Sequence, residues 1–229
     1  MGLGNKHLYT LVLLLVVAMV VVETDFYQEG NTENVQTELE NPENTGNMTV
    51  ENALKERRSV RNFRNHPLTL KEITQLLWAA QGITSENGYR TAPSAGALYP
   101  LTIHVVAENV KGLEKGIYRY LPEENKLEKT RNGSFRDKIY RNALRQTAVK
   151  EASALLIITG DYSVTRKKYG DRAERYVHLE AGHAGQNIYL QAETLGLGTV
   201  SIGAFSDRGI KQVLNTDSQP LYIFPVGRK

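Results

Sequence analysis

The residues Ala154–Thr159 form a run that is apolar except for its last member. A continuous apolar run of this length is typical of a buried strand. Further segments of strand character are Leu101–Ala107, Thr199–Gly203 and Leu221–Val226, and a hairpin is predicted that pairs Gly116–Tyr120 with Lys126–Thr130. These segments are the predicted strands of the chain.

The clearest helix signal is a capping box at Thr69, because Glu72 stands at the third helical position. Apolar residues at helical spacing follow it, and Gly82 suits the end of this helix. The other predicted helices occupy about Val50–Arg58, Phe135–Arg145, Arg172–Leu195 and Asp207–Leu214. Because helices and strands mix without a strict βαβ alternation, the predicted fold class is α+β.

The first 49 residues differ in composition from the rest of the chain. Lys6 and His7 precede the apolar run Leu8–Val22, which as a helix is about 22 Å long and shorter than the ~30 Å hydrocarbon core of a bilayer. We therefore expect residues 1–22 to be a signal peptide or a signal anchor, through which the protein is exported or attached to a membrane. Residues 23–49 are expected to be an acidic, disordered spacer, and the domain itself to span residues 50–229.

Positive charge is concentrated in the second part of the chain. Residues 55–229 hold 27 of the 28 Lys and Arg residues and 17 of the 25 acidic residues, which gives this part a net charge of +10. Such an excess is typical of a solvated surface, but it also suits an anionic ligand or nucleic acid. No nucleic-acid-binding motif is recognised, so nucleic acid is not an expected partner.

Several kinds of site are disfavoured by the sequence. The chain has no cysteine, which excludes disulfides, Cys-ligated metal centres and a thiol nucleophile. His178 and His183 are five residues apart, whereas a helical zinc pair needs a spacing of four. Ser94 and Ser201 lack the preceding glycine that a nucleophile elbow requires. We therefore expect no metal centre and no serine hydrolase.

Four short segments combine cations, hydroxyl groups and bare backbone. Arg57–Arg61 offers guanidinium groups and a hydroxyl to a phosphate, or is a basic surface patch. Ala92–Pro100 is rich in small residues and suits either close approach by a flat ring or a plain turn. Ser201–Phe205 leaves a strand with free backbone N–H groups, and Pro225–Lys229 ends the chain with a cation beside a glycine. Each segment alone fits a structural role as well as a functional one.

Taken together and in this order, these segments resemble the nitroreductase family of flavin enzymes. The chain is most similar to the branch called SagB-type dehydrogenases, which includes azoline oxidases of peptide natural-product pathways. The resemblance runs from about Val50 to the C-terminus and also includes Tyr176–Asn187 and Leu195–Gly198. It implies a mixed or antiparallel sheet flanked by helices, and a homodimer with FMN sites at the subunit interface. Arg172–Leu195 would then be a central helix of the dimer.

The resemblance also implies roles for particular residues. The positions that hold the FMN phosphate and ring edge are matched by Arg57, Arg58, Ser59 and Arg61. The loop beside the ring, which in this family often comes from the partner subunit, is matched by Pro93, Ser94, Ala95 and Gly96. The strand end that meets the reactive flavin nitrogen is matched by Ile202, Gly203 and Ala204, and a C-terminal phosphate-binding position by Arg228. Lys168 and Tyr169 resemble the pair that removes a proton in azoline oxidases, although a solvated basic turn explains them equally well.

The function that follows from this resemblance is hydride transfer through bound FMN, between an organic substrate or NAD(P)H and an acceptor. The substrate would be a small molecule or a peptide. Two alternatives stay open. One is a membrane-tethered basic binding module without redox turnover, and the other is a protein of the same fold that sequesters or destroys flavin.

Overall fold

The computed structural model describes residues 35–229. The predicted signal segment, residues 1–22, and the first part of the predicted spacer, residues 23–34, lie outside the described residues. Between residues 35 and 229, no helix is long and apolar enough to cross a membrane.

A seven-stranded antiparallel sheet forms the centre of the fold. Its strands are β1 (Gln36–Glu38), β3 (Leu101–Ala107), β5 (Gly116–Leu121), β6 (Lys126–Asn132), β7 (Ala154–Gly160), β8 (Leu197–Thr199) and β9 (Gln219–Arg228). The remaining short strands, β2 (Leu68–Thr69) and β4 (Val110–Lys111), pair in parallel in a separate sheet. The strand order in the large sheet is β1-β6-β5-β3-β7-β9-β8, and every neighbouring pair is antiparallel. The predicted hairpin is β5 and β6.

Helices cover both faces of this sheet. They are α1 (Val50–Glu56), α2 (Leu70–Gln81), α3 (Arg136–Asn142), α4 (Thr147–Glu151), α5 (Tyr162–Tyr169), α6 (Ala173–Thr194) and α7 (Asp207–Leu214). Thr69 and Glu72 form the predicted capping box at the start of α2, and Gly82 follows its last residue. The predicted α+β class is confirmed, as are the long helix α6 and the short helix α7.

Strand β7 is buried on both faces, which explains its continuous apolar sequence. Leu156 and Ile158 belong to the core cluster that includes residues of α2 and α6. Leu155 and Ile157 belong to a second cluster with residues of α3, α4 and α7. Because successive side chains of a strand point to opposite faces, a strand between two helical layers needs apolar residues at every position.

The strand predicted at Thr199–Gly203 is misplaced, since β8 begins two residues earlier, at Leu197, and ends four residues earlier, at Thr199. Beyond Thr199, the Ser201 N–H donates to the Tyr189 hydroxyl at 2.7 Å. Pairing with β9 resumes only as a single bridge between Ile202 and Ile223. A side chain therefore takes the place of the neighbouring strand at Ser201.

The helix predicted at Phe135–Arg145 ends earlier, because Leu144 and Arg145 have positive φ angles of 53° and 55°. The chain turns there before α4 begins. Helix α5 was not predicted. It has Thr165 as its only buried residue, so its sequence carries no apolar periodicity.

The prediction of a disordered spacer does not hold for residues 35–49. Strand β1 pairs with β6 at the edge of the large sheet, and Leu39 is buried. Further along, Gln75 of α2 exchanges two hydrogen bonds of 2.9 Å with the backbone of Glu43. An exposed sheet edge pairs through backbone groups, which every residue carries. Amino-acid composition therefore does not predict that β1 pairs with the sheet edge.

Candidate active site

The Arg57–Arg61 segment follows α1 and contacts the far half of α6. The Arg57 guanidinium carbon lies 5.1 Å from the centre of the Tyr189 ring. The Ser59 hydroxyl is 3.1 Å from the Tyr189 hydroxyl. One buried tyrosine of α6 thus holds both a cation and a hydroxyl of this segment.

Tyr189 also holds the chain beyond β8. Its hydroxyl accepts from the Ser201 N–H and donates to the Ser201 hydroxyl at 3.3 Å. Burial alone would raise the pKa of Tyr189, but the hydrogen bonds with Ser201 and Ser59 and the charge of Arg57 outweigh burial and lower it. The Arg57–Arg61 segment and the end of β8 therefore meet at one phenol group.

The cations of the segment are available to an anion. Within the described range 35–229, no carboxylate forms a salt bridge with Arg57, Arg58 or Arg61. Among the described residues, Arg58 donates only to the carbonyl groups of Lys55 and Arg57, at 2.9 and 2.8 Å, and Arg61 lies 3.5 Å from the Ser59 carbonyl. Three guanidinium groups and the Ser59 hydroxyl form a donor set that fits a phosphate dianion.

The backbone after β8 offers further donors beside this segment. Ile202 is buried and bonded to β9, whereas Gly203 and Ala204 are exposed. The N–H groups of Gly203 and Ala204 have no acceptor in the part of the chain that the structure describes. A polar ring edge could therefore accept hydrogen bonds from this strand end.

The Pro93–Gly96 loop lies against α5. Gly96 has a φ angle of 64°. A Cβ atom at this position would lie 2.8 Å from the Lys168 Nζ atom and 2.9 Å from the Tyr169 hydroxyl. Both atoms are the ends of flexible side chains, which a larger residue at Gly96 would have to displace, and the positive φ angle itself favours glycine. The two residues predicted to move a proton thus lie directly beside the loop predicted to contact a flavin ring.

The same loop is bonded to the near half of α6. The Ser94 hydroxyl donates to the Glu180 carboxylate at 2.5 Å and accepts from the Tyr99 N–H at 3.0 Å. Glu180 is buried, with 2% of its surface exposed. Burial raises the pKa of Glu180 to about 7, although the hydrogen bond from Ser94, the charge of Arg90 and the nearby Gln81 amide act in the opposite direction.

Apart from Arg228, the predicted site residues of one chain fall into two groups along α6. The first lies around Tyr189 and the second around Glu180. Glu180 and Tyr189 are nine positions apart, which corresponds to about 13 Å along a helix. The first group holds the arginines and the strand end, and the second holds the loop with Lys168 and Tyr169.

Arg228 lies outside both groups. Its guanidinium forms a bidentate ion pair with Glu72, at 2.7 and 2.9 Å. Its backbone carbonyl accepts from the Arg64 N–H at 3.0 Å. Glu72 is also the acidic member of the capping box of α2. The structure therefore gives Arg228 a partner within the chain and does not bring it together with Arg57.

Sequence reasoning missed the two residues that organise these groups. Tyr189 occupies a core-facing position of α6, where an aromatic residue indicates packing rather than a site. Glu180 stands in a segment that carries the family resemblance, but its spacing gave it no role. A carboxylate on the buried face of a predicted helix is the signal that could have singled it out.

Comparison with known proteins identifies the family to which the chain belongs. The model of the nitroreductase family matches residues 54–228. This match covers more than half of the chain, and the chain therefore belongs to the nitroreductase family, whose fold it shares. The resemblance inferred from the sequence motifs is confirmed.

Individual relatives agree with this assignment. A protein of Methanocaldococcus jannaschii named as a candidate nitroreductase is 46% identical over 180 residues, which cover 79% of this chain and 91% of the relative. The crystal structure of a candidate nitroreductase from Anabaena variabilis superposes with a TM-score of 0.76 at 29% identity, over 88% of this chain and 43% of that chain.

A third similar protein supports the branch suggested by the sequence. The trifolitoxin-processing protein TfxB of Rhizobium leguminosarum bv. trifolii is 28% identical over 163 residues. The match covers 66% of this chain and 44% of that protein. Together these relatives place the chain in a family of oxidoreductases and agree with a SagB-type member.

Proposed function

We propose that the protein is an FMN-dependent oxidoreductase of the SagB type. It passes hydride between an organic substrate or NAD(P)H and an acceptor. The observation that supports this best is the junction at Tyr189, whose ring and hydroxyl contact Arg57, Ser59 and Ser201. It joins the Arg57–Arg61 segment, whose arginines have no acidic partner within residues 35–229, to a strand end with free N–H groups. A phosphate and a polar ring edge of one ligand would find their donors there.

FMN, when bound, supplies a ring that accepts and returns a hydride. Arg57, Arg58 and Ser59 would hold its phosphate, and Arg61 would lie near the ring edge. The backbone N–H groups of Gly203 and Ala204 would orient the ring. These residues bind and orient, and they stabilise negative charge near the ring.

Lys168 and Tyr169 have a separate task in this proposal. They would take a proton from the substrate, or return one to it, at the Lys168 Nζ or the Tyr169 hydroxyl. Their contact with Gly96 supports this role, because it sets both groups against the loop that would border the ring. A small molecule or a peptide is the proposed substrate, and the similarity to a trifolitoxin-processing protein supports the SagB-type branch.

We further propose that two subunits of a homodimer complete each site. The arginines of one subunit would then face the loop of its partner. The separation of the two groups along α6 supports this arrangement, as does an exposed stripe on the same helix. Leu179 is 54% exposed, and a Cβ atom added at Gly182 would meet nothing within 4 Å.

Mixed dimers test both parts of the proposal without knowledge of the substrate. Arg57→Ala removes a phosphate ligand, and Gly96→Val displaces the loop because valine does not tolerate the positive φ angle. We expect each variant alone to retain little FMN after desalting. Unfolding and refolding the two together should restore FMN to roughly a quarter of the sites, because half of the dimers are mixed and one of their two sites is intact.

The outcomes separate the alternatives. If the mixture retains no more FMN than the single variants while the wild type is saturated, each site lies within one subunit. If a folded wild type retains no FMN, the flavoenzyme proposal is wrong and a basic binding module takes its place. Recovery of chemically altered FMN from the wild type would support flavin destruction instead.

A further inference from the structure

Beneath the Pro93–Pro100 loop lies a nearly closed ring of polar contacts. Ser94 bonds to Glu180 and to the Tyr99 N–H. The Tyr99 hydroxyl accepts from the Arg90 N–H at 3.2 Å. The Arg90 guanidinium then donates to the Gln81 side-chain oxygen at 3.0 Å. The ring thus ties the loop to α2 and α6.

Two further polar atoms of this ring are complementary in hydrogen bonding. The Glu180 Oε1 atom and the Gln81 Nε2 atom are buried, and neither has a hydrogen-bond partner among the described residues. One is an acceptor and the other a donor. A buried carboxylate oxygen without a hydrogen-bond donor raises the free energy of the folded state. A donor that reaches the Glu180 Oε1 atom would remove this cost. The carboxylate is therefore sensitive to small shifts of the loop.

The outer side of the loop touches the residues proposed to move protons. Gly96 is two positions from Ser94, and a Cβ atom at Gly96 would lie 2.8 Å from the Lys168 Nζ atom and 2.9 Å from the Tyr169 hydroxyl. We therefore expect a displacement of Ser94 to change the contacts at Gly96. Glu180 contacts this short segment at Ser94, and the Lys168–Tyr169 pair contacts it at Gly96.

We propose that Glu180 is a positioning residue for the Lys168–Tyr169 pair. Through Ser94 it holds the loop at a fixed distance from that pair, and a change in its charge moves the loop. This inference deepens the proposed function, since it concerns the same site.

The hydrogen-bond directions explain why charge matters. An ionised Glu180 accepts from Ser94, whose oxygen is free to accept from the Tyr99 N–H. A proton on the same carboxylate oxygen would instead donate to Ser94. The Ser94 oxygen would then receive two donors, and its own hydrogen would need a new acceptor. We expect the loop to shift so that this hydrogen finds an acceptor.

The surroundings of Glu180 place this change near neutral pH. Burial raises the pKa of Glu180 to about 7. Several charged or titratable groups surround Glu180. Arg90 follows α2 and forms an ion pair with Glu123. Lys168 and Tyr169 of α5 contact the same loop, and Tyr176 and His183 lie one turn away on α6.

The experiment follows the Gly96 backbone amide by NMR in the full-length protein between pH 5.5 and 8.5. We expect its resonance to shift with a midpoint near pH 7 in the wild type. The shift should be absent in Glu180→Gln, and reduced in Ser94→Ala, which keeps the carboxylate but removes the link. Glu174→Gln changes an exposed carboxylate of the same helix and should leave the titration intact.

A Gly96 resonance that titrates equally in the wild type and in Glu180→Gln would overturn the proposal, as would one that does not titrate in the wild type. If Glu180→Gln does not fold, an unchanged titration in Ser94→Ala would overturn it as well. The measurement requires no flavin. Its failure is therefore distinct from failure of the flavoenzyme proposal, which flavin retention by the wild type tests.

Discussion

Removal of one hydroxyl group, in Tyr189→Phe, tests how the proposed site is held together. Tyr189 and Tyr222 both pack edge to face against Phe224. Their ring centres lie 5.7 and 5.6 Å from the centre of the Phe224 ring. The Tyr189 hydroxyl bonds to Ser59 and Ser201. The Tyr222 hydroxyl has no hydrogen bond to any described residue. Tyr222→Phe is therefore a matched control.

The expected loss of stability follows from the contacts of that hydroxyl. Each hydrogen bond contributes about 0.5–1.5 kcal/mol, and a buried donor left without an acceptor costs about 1–3 kcal/mol. Ser59 is exposed and Ser201 is only half-buried, so water replaces part of what is lost. We expect Tyr189→Phe to reduce the free energy of unfolding by about 1–2 kcal/mol, and Tyr222→Phe by less than about 0.5 kcal/mol.

Urea denaturation followed by circular dichroism measures this difference. With an m-value of about 2 kcal/mol/M, the midpoint of Tyr189→Phe should fall by about 0.5–1 M. The same variant should release FMN more readily than Tyr222→Phe, because Ser59 and Ser201 are no longer joined. Equal midpoints and equal FMN retention in the two variants would refute the role given to Tyr189.

Three further predictions concern other parts of the structure. Gly182→Arg places a bulky charge on the exposed face of α6 and should convert dimers to monomers in sedimentation experiments; an unchanged mass would contradict the proposed interface. Glu180→Gln should flatten the pH dependence of stability. A raised pKa in the folded state means that the wild type loses about 1–3 kcal/mol as pH rises from about 4.5 to 7, and equal slopes in the two proteins would exclude this. Arg228→Met should lower stability by about 1 kcal/mol through loss of the Glu72 pair and leave FMN retention unchanged, whereas loss of FMN would show that Arg228 binds the cofactor.

Local signals in the sequence predicted much of the fold. Strand β3 and helix α7 have the predicted ends, because strand character and turn residues are encoded within a few positions. The Thr69 capping box likewise depends on residues three apart. Strand β7 could be recognised because burial on both faces leaves an unbroken apolar run.

The contacts that build the site could not be predicted in this way. Tyr189 meets Ser59 across 130 residues of sequence, and Glu180 meets Ser94 across 86. Such contacts depend on how α6 crosses the sheet, which no local pattern encodes. The motifs at Arg57–Arg61 and Pro93–Gly96 were visible, but not the side chains that hold them. Strand β1 was missed for a related reason, since its pairing uses backbone groups.

We propose that this chain binds FMN through the Arg57–Arg61 segment. The visible absorption spectrum of the purified full-length protein, recorded after FMN reconstitution and desalting, tests it most directly. The wild type should retain about one flavin per chain, bleached by dithionite and restored by air, and Arg57→Ala/Arg61→Ala should lose it. Lys111→Ala/Arg141→Ala, which removes the same charge from exposed positions elsewhere, should retain flavin. A folded wild type without flavin, or equal retention in both double variants, would contradict the claim.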